Sequence, residues 1–220
     1  MKIEIKDENF FEEINSEIKA YLLGFFAADG NVCGKTNKLS LGISEKDEYI
    51  VNLFKKYITP RHKIQRIHNT IGALNRQPQV VWTVSRKKLK DDLSKFGIIP
   101  NKTHSNFSLD NVPYEFKHHY IRGYFDGDGS IYRGFSKGRN KICVNFTNST
   151  KRILEDINNY CKDINFKLET KMSKNNFEYY VLAIYNKIEV EKFYNIIYNN
   201  STFYLKRKFD KFNFVNTVVS

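Results

Sequence analysis

Two Asp-Gly pairs are the candidates for chemistry: Asp29-Gly30 and Asp128-Gly129, 99 residues apart (128 − 29). Each closes a stretch of the same make, LLGFFAADGN from Leu22 and IRGYFDGDGS from Ile121. A repeat at that spacing indicates a duplicated unit. The residues before each pair carry a helical apolar pattern: Ile18, Tyr21, Leu22 and Phe25 in one, Phe116, Tyr120 and Tyr124 in the other. The two Asp then fall at helix C-termini, which already carry roughly −0.5 charge. Two such ends side by side gather two carboxylates and several unpaired carbonyls. Hard oxygen ligands of that kind suit Mg²⁺.

Small residues must bring the two ends together. Gly24 with Ala28, and Gly123 with Gly127, sit at i and i+4, on one face of each helix. Two helices with such faces can approach backbone to backbone. Gly30 and Gly129 are expected to close their helices in a left-handed conformation, which glycine adopts without steric cost.

These residues resemble the LAGLIDADG homing endonucleases, in the form that carries two motifs in one chain. The resemblance implies that Asp29 and Asp128, at the eighth motif position, are the acidic metal ligands. The first motif departs at the sixth position, with Ala27 where Asp is usual, while the second keeps Asp126. Arg122 stands where a small residue is usual and is read as solvent-facing. The resemblance also implies a basic residue near a strand end that stabilises the reacting phosphate; Lys87 and Lys187 occupy equivalent places, 100 residues apart (187 − 87). Glu45 and Asn148 match each other just after the second strand of each half, where the family places a polar residue that positions water.

Composition agrees with a polyanionic partner. The chain of 220 residues has 36 Lys and Arg against 24 Asp and Glu, a formal charge of +12. Such a surplus points to nucleic acid. No apolar run approaches the ~20 residues that a membrane span needs, and the first ten residues hold no apolar signal region. An intracellular protein is expected: cytoplasm, nucleoid or organelle matrix. The three cysteines, Cys33, Cys143 and Cys161, have no paired spacing, which argues against a disulfide framework or a zinc site.

Taken in order, each half reads helix–strand–strand–helix–strand–strand–helix. In the first, Leu39, Leu41 and Ile43 alternate with polar residues, and Ile50, Val51, Phe54 and Tyr57 follow at helical spacing up to Pro60. In the second, Ile142, Val144 and Phe146, then Ile153, Leu154, Ile157 and Tyr160, repeat the pattern at an offset of 103 (142 − 39, 153 − 50). The expected fold is α+β: two pseudo-symmetric αββαββα repeats, motif helices packed at the centre, and two antiparallel sheets forming a DNA-binding saddle. Residues 1–110 form the first repeat with its linker. Residues 111–220 form the second, with a basic C-terminal segment, 202–212, that has no counterpart. The run Lys206-Arg207-Lys208 in it is read as a solvated helix face, and His118 and His119 as cover on a helix surface.

The polar strand faces supply the expected DNA contacts: Lys38, Ser40, Lys63, Gln65, Gln79 and Thr83 in the first half, Lys141, Asn145, Lys167 and Lys171 in the second. Arg76 and Gln77 join from the loop at 69–78, Arg133 and Arg139 from the hairpin after the second motif. Arg and Lys suit guanine edges, Asn and Gln adenine.

The string Asp126-Gly-Asp-Gly-Ser130 is not a calcium loop, because Ile131 and Lys137 stand where Gly and Glu are needed. The expected function is a site-specific double-strand DNA endonuclease acting in intron homing. It cuts a long asymmetric duplex as a monomer, with staggered ends. Its metal ligands are Asp29 and Asp128 with the carbonyls of Ala28 and Gly127. Mg²⁺ is the expected cofactor, with Mn²⁺ substituting and Ca²⁺ supporting binding without cleavage. The alternative is a non-cleaving nucleic-acid binder on the same fold, an RNA splicing maturase or a regulator.

Overall fold

A computed structural model describes residues 5–68, 77–101, 107–136 and 139–213, without the side chains at 135, 136, 139 and 140. The first half runs α1 (Glu17–Asp29), β1 (Gly30–Val32), β2 (Lys38–Ser44), α2 (Glu48–Ile58), β3 (Gln65–Ile67), β4 (Gln79–Ser85) and α3 (Lys87–Lys95). The second runs α4 (Lys117–Asp128), β5 (Ser130–Ser136), β6 (Arg139–Asn148), α5 (Arg152–Tyr160), β7 (Lys167–Met172), β8 (Glu178–Ile184) and α6 (Lys187–Tyr198), then a short α7 (Lys206–Phe209). Both halves follow the αββαββα order read from the sequence. The sheets are antiparallel with the same strand order, β1-β2-β4-β3 and β5-β6-β8-β7. None of the helices among the described residues is long and apolar enough to cross a membrane.

Alternation decides which sheet face is buried. Leu39, Leu41 and Ile43 of β2 pair with Val84, Trp82 and Val80 of β4, and all six are buried. Their intervening partners, Ser40 opposite Thr83 and Ser44 opposite Gln79, face away. The second sheet repeats this, with Val144 and Phe146 opposite Ile184 and Leu182 on the core side. Helices α2 and α5 cover those faces with Ile50, Val51 and Phe54, and with Ile153, Leu154 and Ile157.

The motif helices differ from these one-sided helices. α1 is buried without interruption from Ala20 to Ala27, and α4 from Tyr120 to Asp126. Helices buried all round belong inside a core, and these two lie against each other. A methyl group built on Gly24 would stand 2.0 Å from the Tyr120 carbonyl oxygen. One on Gly123 would stand 2.0 Å from the Tyr21 carbonyl oxygen, and one on Gly127 2.3 Å from Ala28 Cβ. The Gly-xxx-small faces read from the sequence are therefore the crossing point.

The reading of Gly30 and Gly129 is corrected. Both have extended backbone, φ −69° and −67°, rather than the left-handed conformation. Glycine is required for space instead: a methyl at Gly30 would fall 2.4 Å from the Phe26 ring, and one at Gly129 2.1 Å from that of Phe125.

Two further corrections concern α4 and the C-terminal segment. Arg122 is fully buried rather than solvent-facing. Its guanidinium donates to the carbonyls of Phe203 (2.7 Å) and Ile197 (2.8 Å) and to Glu17 Oε1 (2.7 Å), and it meets His119 Nδ1 at 3.0 Å. Burial pushes the Glu17 carboxyl up, but backbone N–H donors at Thr202 and Phe203 and the Arg122 charge outweigh it and hold the group below its ordinary value. Asp126, also buried, accepts from Tyr198 Oη (2.5 Å), the Leu205 N–H (2.7 Å) and Tyr21 Oη (2.9 Å). Burial pushes its pKa up to about 6 against those donors. In the run 206–208, Lys206 and Arg207 are exposed, pairing with Asp210 at 2.8 Å and Asp47 at 2.9 Å, but Lys208 is not solvated: it is 5% exposed. His118 and His119 are half-buried on α4.

Two outcomes follow for stability. Gly24→Ala or Gly123→Ala must push two backbones apart, and should cost at least about 3 kcal/mol in a urea titration. Gly42→Ala, where a methyl would meet only Val81 Cγ2 at 3.5 Å, should change stability by less than about 0.5 kcal/mol. Burial, then the Arg122 charge, pulls the His119 pKa down from 6.5 to about 4. The stability His119 contributes is complete above the unfolded value and is lost as the pH falls through 4. Asp126 acts oppositely: its contribution is present at acid pH and lost as the pH rises through 6. His119→Gln should therefore flatten the loss of stability on the acid side, read as urea midpoints of variant and wild type from pH 6.5 to 4.

Candidate metal and nucleic-acid site

The crossing of α1 and α4 places Ala28-Asp29 and Gly127-Asp128 at one end of the helix pair. The exposure pattern is the same in both: Ala28 and Gly127 half-buried, Asp29 and Asp128 exposed, Gly30 and Gly129 buried. Asp29 Oδ2 lies 3.4 Å from the point where a methyl on Gly127 would stand. The first carboxylate thus reaches over the other helix, beside the residue preceding the second. Among the described residues no three His, Cys, Asp or Glu side chains converge. A cation here would be held by two carboxylates and backbone carbonyls. That donor set is all hard oxygen and fits Mg²⁺.

Beside the pair lies a cavity of about 210 Å³, lined by Ala28, Phe107, Asp128, Asn148 and Tyr179 among others. Asn148, the last residue of β6, borders it. Its amide is anchored: Nδ2 donates to Tyr124 Oη at 2.8 Å, and Oδ1 accepts from the Thr150 N–H at 2.8 Å. Glu45, its counterpart after β2, is engaged elsewhere. It accepts from Arg66 at 2.5 Å, and the same guanidinium reaches Glu48 at 2.6 Å.

Lys87 and Lys187 open α3 and α6 rather than ending strands. Lys87 is exposed and pairs with Asp91 at 2.7 Å. Lys187 pairs with Glu191 at 3.5 Å. It also lines a cavity of about 740 Å³ with Arg133, Lys141, Asp210 and Lys211. That cavity gathers four cations around one carboxylate and suits a phosphate group.

The strand registers sort the expected DNA contacts. Ser40, Gln79 and Thr83 lie on the outward face of the first sheet, and Gln65 joins them opposite Val81. Lys38 opens β2 on the same face, while Lys63 precedes β3 in the chain. In the second sheet Lys141, Asn145, Lys167 and Lys171 share the outward parity. Lys171 is tied to Glu169 at 3.2 Å. Arg133 differs: it stands opposite Ile142, on the core-side parity, and opens to the basic cavity at the sheet's end. Gln77 is exposed, and Arg76 and the Arg139 side chain lie outside the described residues. Sequence reasoning did not single out Asn31 and Tyr132, which join the outward faces opposite Ser40 and Cys143. It also missed Lys208, whose ammonium donates to the carbonyls of Phe125 (2.6 Å), Gly127 (3.0 Å) and Gly129 (2.5 Å). A signal for it existed. Lys208 falls inside the apolar stripe Leu205, Phe209, Phe212, at helical spacing, where a solvated lysine has no place.

No curated protein matches the chain by sequence. Residues 115–198, from the start of α4 to the end of α6, match the LAGLIDADG-like domain family. Among solved structures, the I-LtrWI LAGLIDADG homing endonuclease bound to target DNA aligns over 96% of this chain and 91% of its own, with 15% identity and a TM-score of 0.57. The I-SmaMI LAGLIDADG homing endonuclease bound to cleaved DNA aligns over 93% and 89%, with 12% identity and a TM-score of 0.60. Full-length DUF199/WhiA from Thermatoga maritima aligns over 99% of this chain and 69% of its own, with 16% identity and a TM-score of 0.53. Residues 115–198 match a LAGLIDADG-like domain, and the chain as a whole has the fold seen in the LAGLIDADG homing endonuclease structures.

Proposed function

We propose that the chain is a metal-dependent, site-specific double-strand DNA endonuclease that acts as a monomer on an asymmetric target. The observation that carries this reading is the pair Asp29 and Asp128 at the touching ends of α1 and α4, each directly after Ala28 or Gly127, the residues at the close approach. Two polar sheet faces flank that pair, and the charge of +12 supplies the attraction to DNA. The outward residues of the two sheets differ, Ser40, Gln65, Gln79 and Thr83 against Lys141, Asn145, Lys167 and Lys171, which suits a target whose halves differ. A homodimer would impose a palindrome by its symmetry; this chain holds both halves.

In this reading Asp29 and Asp128, with the carbonyls of Ala28 and Gly127, hold Mg²⁺, and Mn²⁺ can replace it. Held by those residues, the ion would supply a water of lowered pKa for in-line attack and charge to stabilise the leaving oxygen. Asp29 and Asp128 each serve one strand, which makes the cuts staggered. Asn148 and Tyr179 border the cavity beside Asp128 and are placed to orient water there. The basic cavity around Lys187, Arg133, Lys141 and Lys211 takes a backbone phosphate.

Asp29→Asn and Asp128→Asn each keep the shape but remove a charge that repels phosphate and holds metal. Cleavage of the target in Mg²⁺ should fall by several orders of magnitude, while binding of the same duplex in Ca²⁺ should hold or tighten. Variants that bind normally, alongside a wild type that never cuts, would establish the non-cleaving binder instead. Affinity should also fall steeply with salt, with a log–log slope of several units at about −0.9 per neutralised phosphate. A flat dependence would remove nucleic acid as the partner.

A further inference from the structure

We infer that the outward face of the second sheet reads thymine: Tyr132 and Tyr185, on either side of Cys143, form a row that packs against thymine 5-methyl groups in the major groove of one half of the target. This rests on the duplex-DNA reading above and needs neither metal nor cleavage.

The row follows from register. Tyr132 of β5 stands opposite Cys143 of β6. Ile184 of β8 pairs with Val144 on the core side, so Tyr185, the next residue, comes level with Cys143 on the outward side. A hydrogen bond to Glu169 raises the Lys171 pKa, and Tyr185 and Tyr179 raise it further, which puts the Tyr185 ring on the face that carries that lysine. Both rings are open to solvent, Tyr132 at 56% and Tyr185 at 52% exposure. Tyr132 is also held in place. A methyl group on Gly134 would stand 2.1 Å from its hydroxyl oxygen and 2.5 Å from Cζ. The ring therefore lies along β5 over Gly134, two residues on and on the same face, where only glycine leaves it room.

The corresponding row of the first sheet is polar. Asn31 stands opposite Ser40, and Ser40 opposite Thr83. One half thus offers three hydrogen-bonding side chains at the level where the other offers two rings and a thiol. Cations bracket the aromatic row: Lys141, opposite Gly134, on one side, and Lys167, opposite Ala183, on the other. Such a rim, in a chain of charge +12, suits a polyanion rather than an apolar protein surface. In the major groove base pairs present donors, acceptors and one apolar group, the thymine methyl. A ring set over a donor or acceptor strips water from it at a cost; a ring set over the methyl gains by the same exclusion of water. β5 and β8 flank β6, so the two rings are about 10 Å apart, roughly three base-pair steps.

The test selects duplexes from a randomised pool with the full chain in Ca²⁺. The selected sequences are then resynthesised with deoxyuridine, which lacks only the 5-methyl group, in place of thymine. Thymine should be enriched in one half-site at two positions about three steps apart. Deoxyuridine at either should weaken binding about fourfold, and at both about fifteenfold, the value of one and two buried methyl groups. The same exchange in the other half-site should change affinity by less than about twofold. Tyr132→Ser and Tyr185→Ser should each remove the discrimination at one of the two positions, and bind the deoxyuridine duplex as the wild type does. Gly134→Ala, which displaces the Tyr132 ring, should act like Tyr132→Ser. Circular dichroism establishes that each variant is folded, and the deoxyuridine comparison on the wild type stands without them. A wild type indifferent to the methyl in both half-sites would overturn the inference and leave the duplex reading intact. So would a folded variant carrying both Tyr132→Ser and Tyr185→Ser that still discriminates. A pool from which no sequence is enriched would overturn the site-specific duplex reading and this inference together.

Discussion

The approach of two backbones at Gly24 and Gly123 is the constraint on which the rest depends. Each glycine faces a carbonyl oxygen of the other helix, at 2.0 Å from where a side chain would begin. Such contact leaves no room for side chains at the crossing and sets the spacing of the helix ends below it. Ala28 and Gly127 meet for the same reason, and Asp29 and Asp128 follow them directly in the chain. A wider crossing would separate the carboxylates and their neighbouring carbonyls. The packing that stabilises the core is thus the packing that assembles the oxygen groups proposed as metal ligands. An acidic pair at two helix C-termini is electrostatically unfavourable in isolation. The helices tolerate it because a continuous buried surface, Ala20 to Ala27 and Tyr120 to Asp126, holds the ends in place.

The sheets depend on the same pair at one remove. β1 and β5 start within two residues of Asp29 and Asp128, so each sheet is hung from the end of its own motif helix. Phe26 and Phe125 lie where a Cβ on Gly30 and Gly129 would be, which turns the chain out of the helix at the same place in both halves. The polar faces of the two sheets are positioned by these turns, not by contacts of their own.

Much of this was legible in the sequence. Alternation in Leu39–Ile43 and Ile142–Phe146, and helical spacing in Ile50–Tyr57 and Ile153–Tyr160, give the element order and the buried faces directly. Gly24, Ala28, Gly123 and Gly127 announce the crossing because a helix face of small residues has few other uses. What was not legible depended on long-range partners. Gly30 and Gly129 looked like left-handed caps by local rule; the Phe26 and Phe125 rings, four residues back, determine their role instead. Glu45 and Asn148 match in position but differ in surroundings, since Arg66 captures one and Tyr124 the other. Arg122 was read as outward because a charged residue in a motif helix usually is, and its partners at 197 and 203 lie far along the chain.

The C-terminal segment explains why the two copies of the motif differ. At the offset of 99, Arg122 corresponds to Leu23 and Asp126 to Ala27. Leu23 and Ala27 are buried among apolar neighbours, and a polar group there would have no partner. Arg122 and Asp126 are equally buried but are fully engaged: Arg122 takes the Phe203 carbonyl, Asp126 the Leu205 N–H, and Lys208 closes the last turn. These three polar anchors dock 202–212 on α4, and Glu17 of α1 accepts the Thr202 N–H at 2.8 Å from the other side. The departures from the motif in α4 are therefore the docking site for a segment that the first half does not possess. A duplicated frame with one added strap is no longer symmetric at its centre. The asymmetry reaches the end of α4 through Lys208, which donates to the carbonyls of Phe125, Gly127 and Gly129.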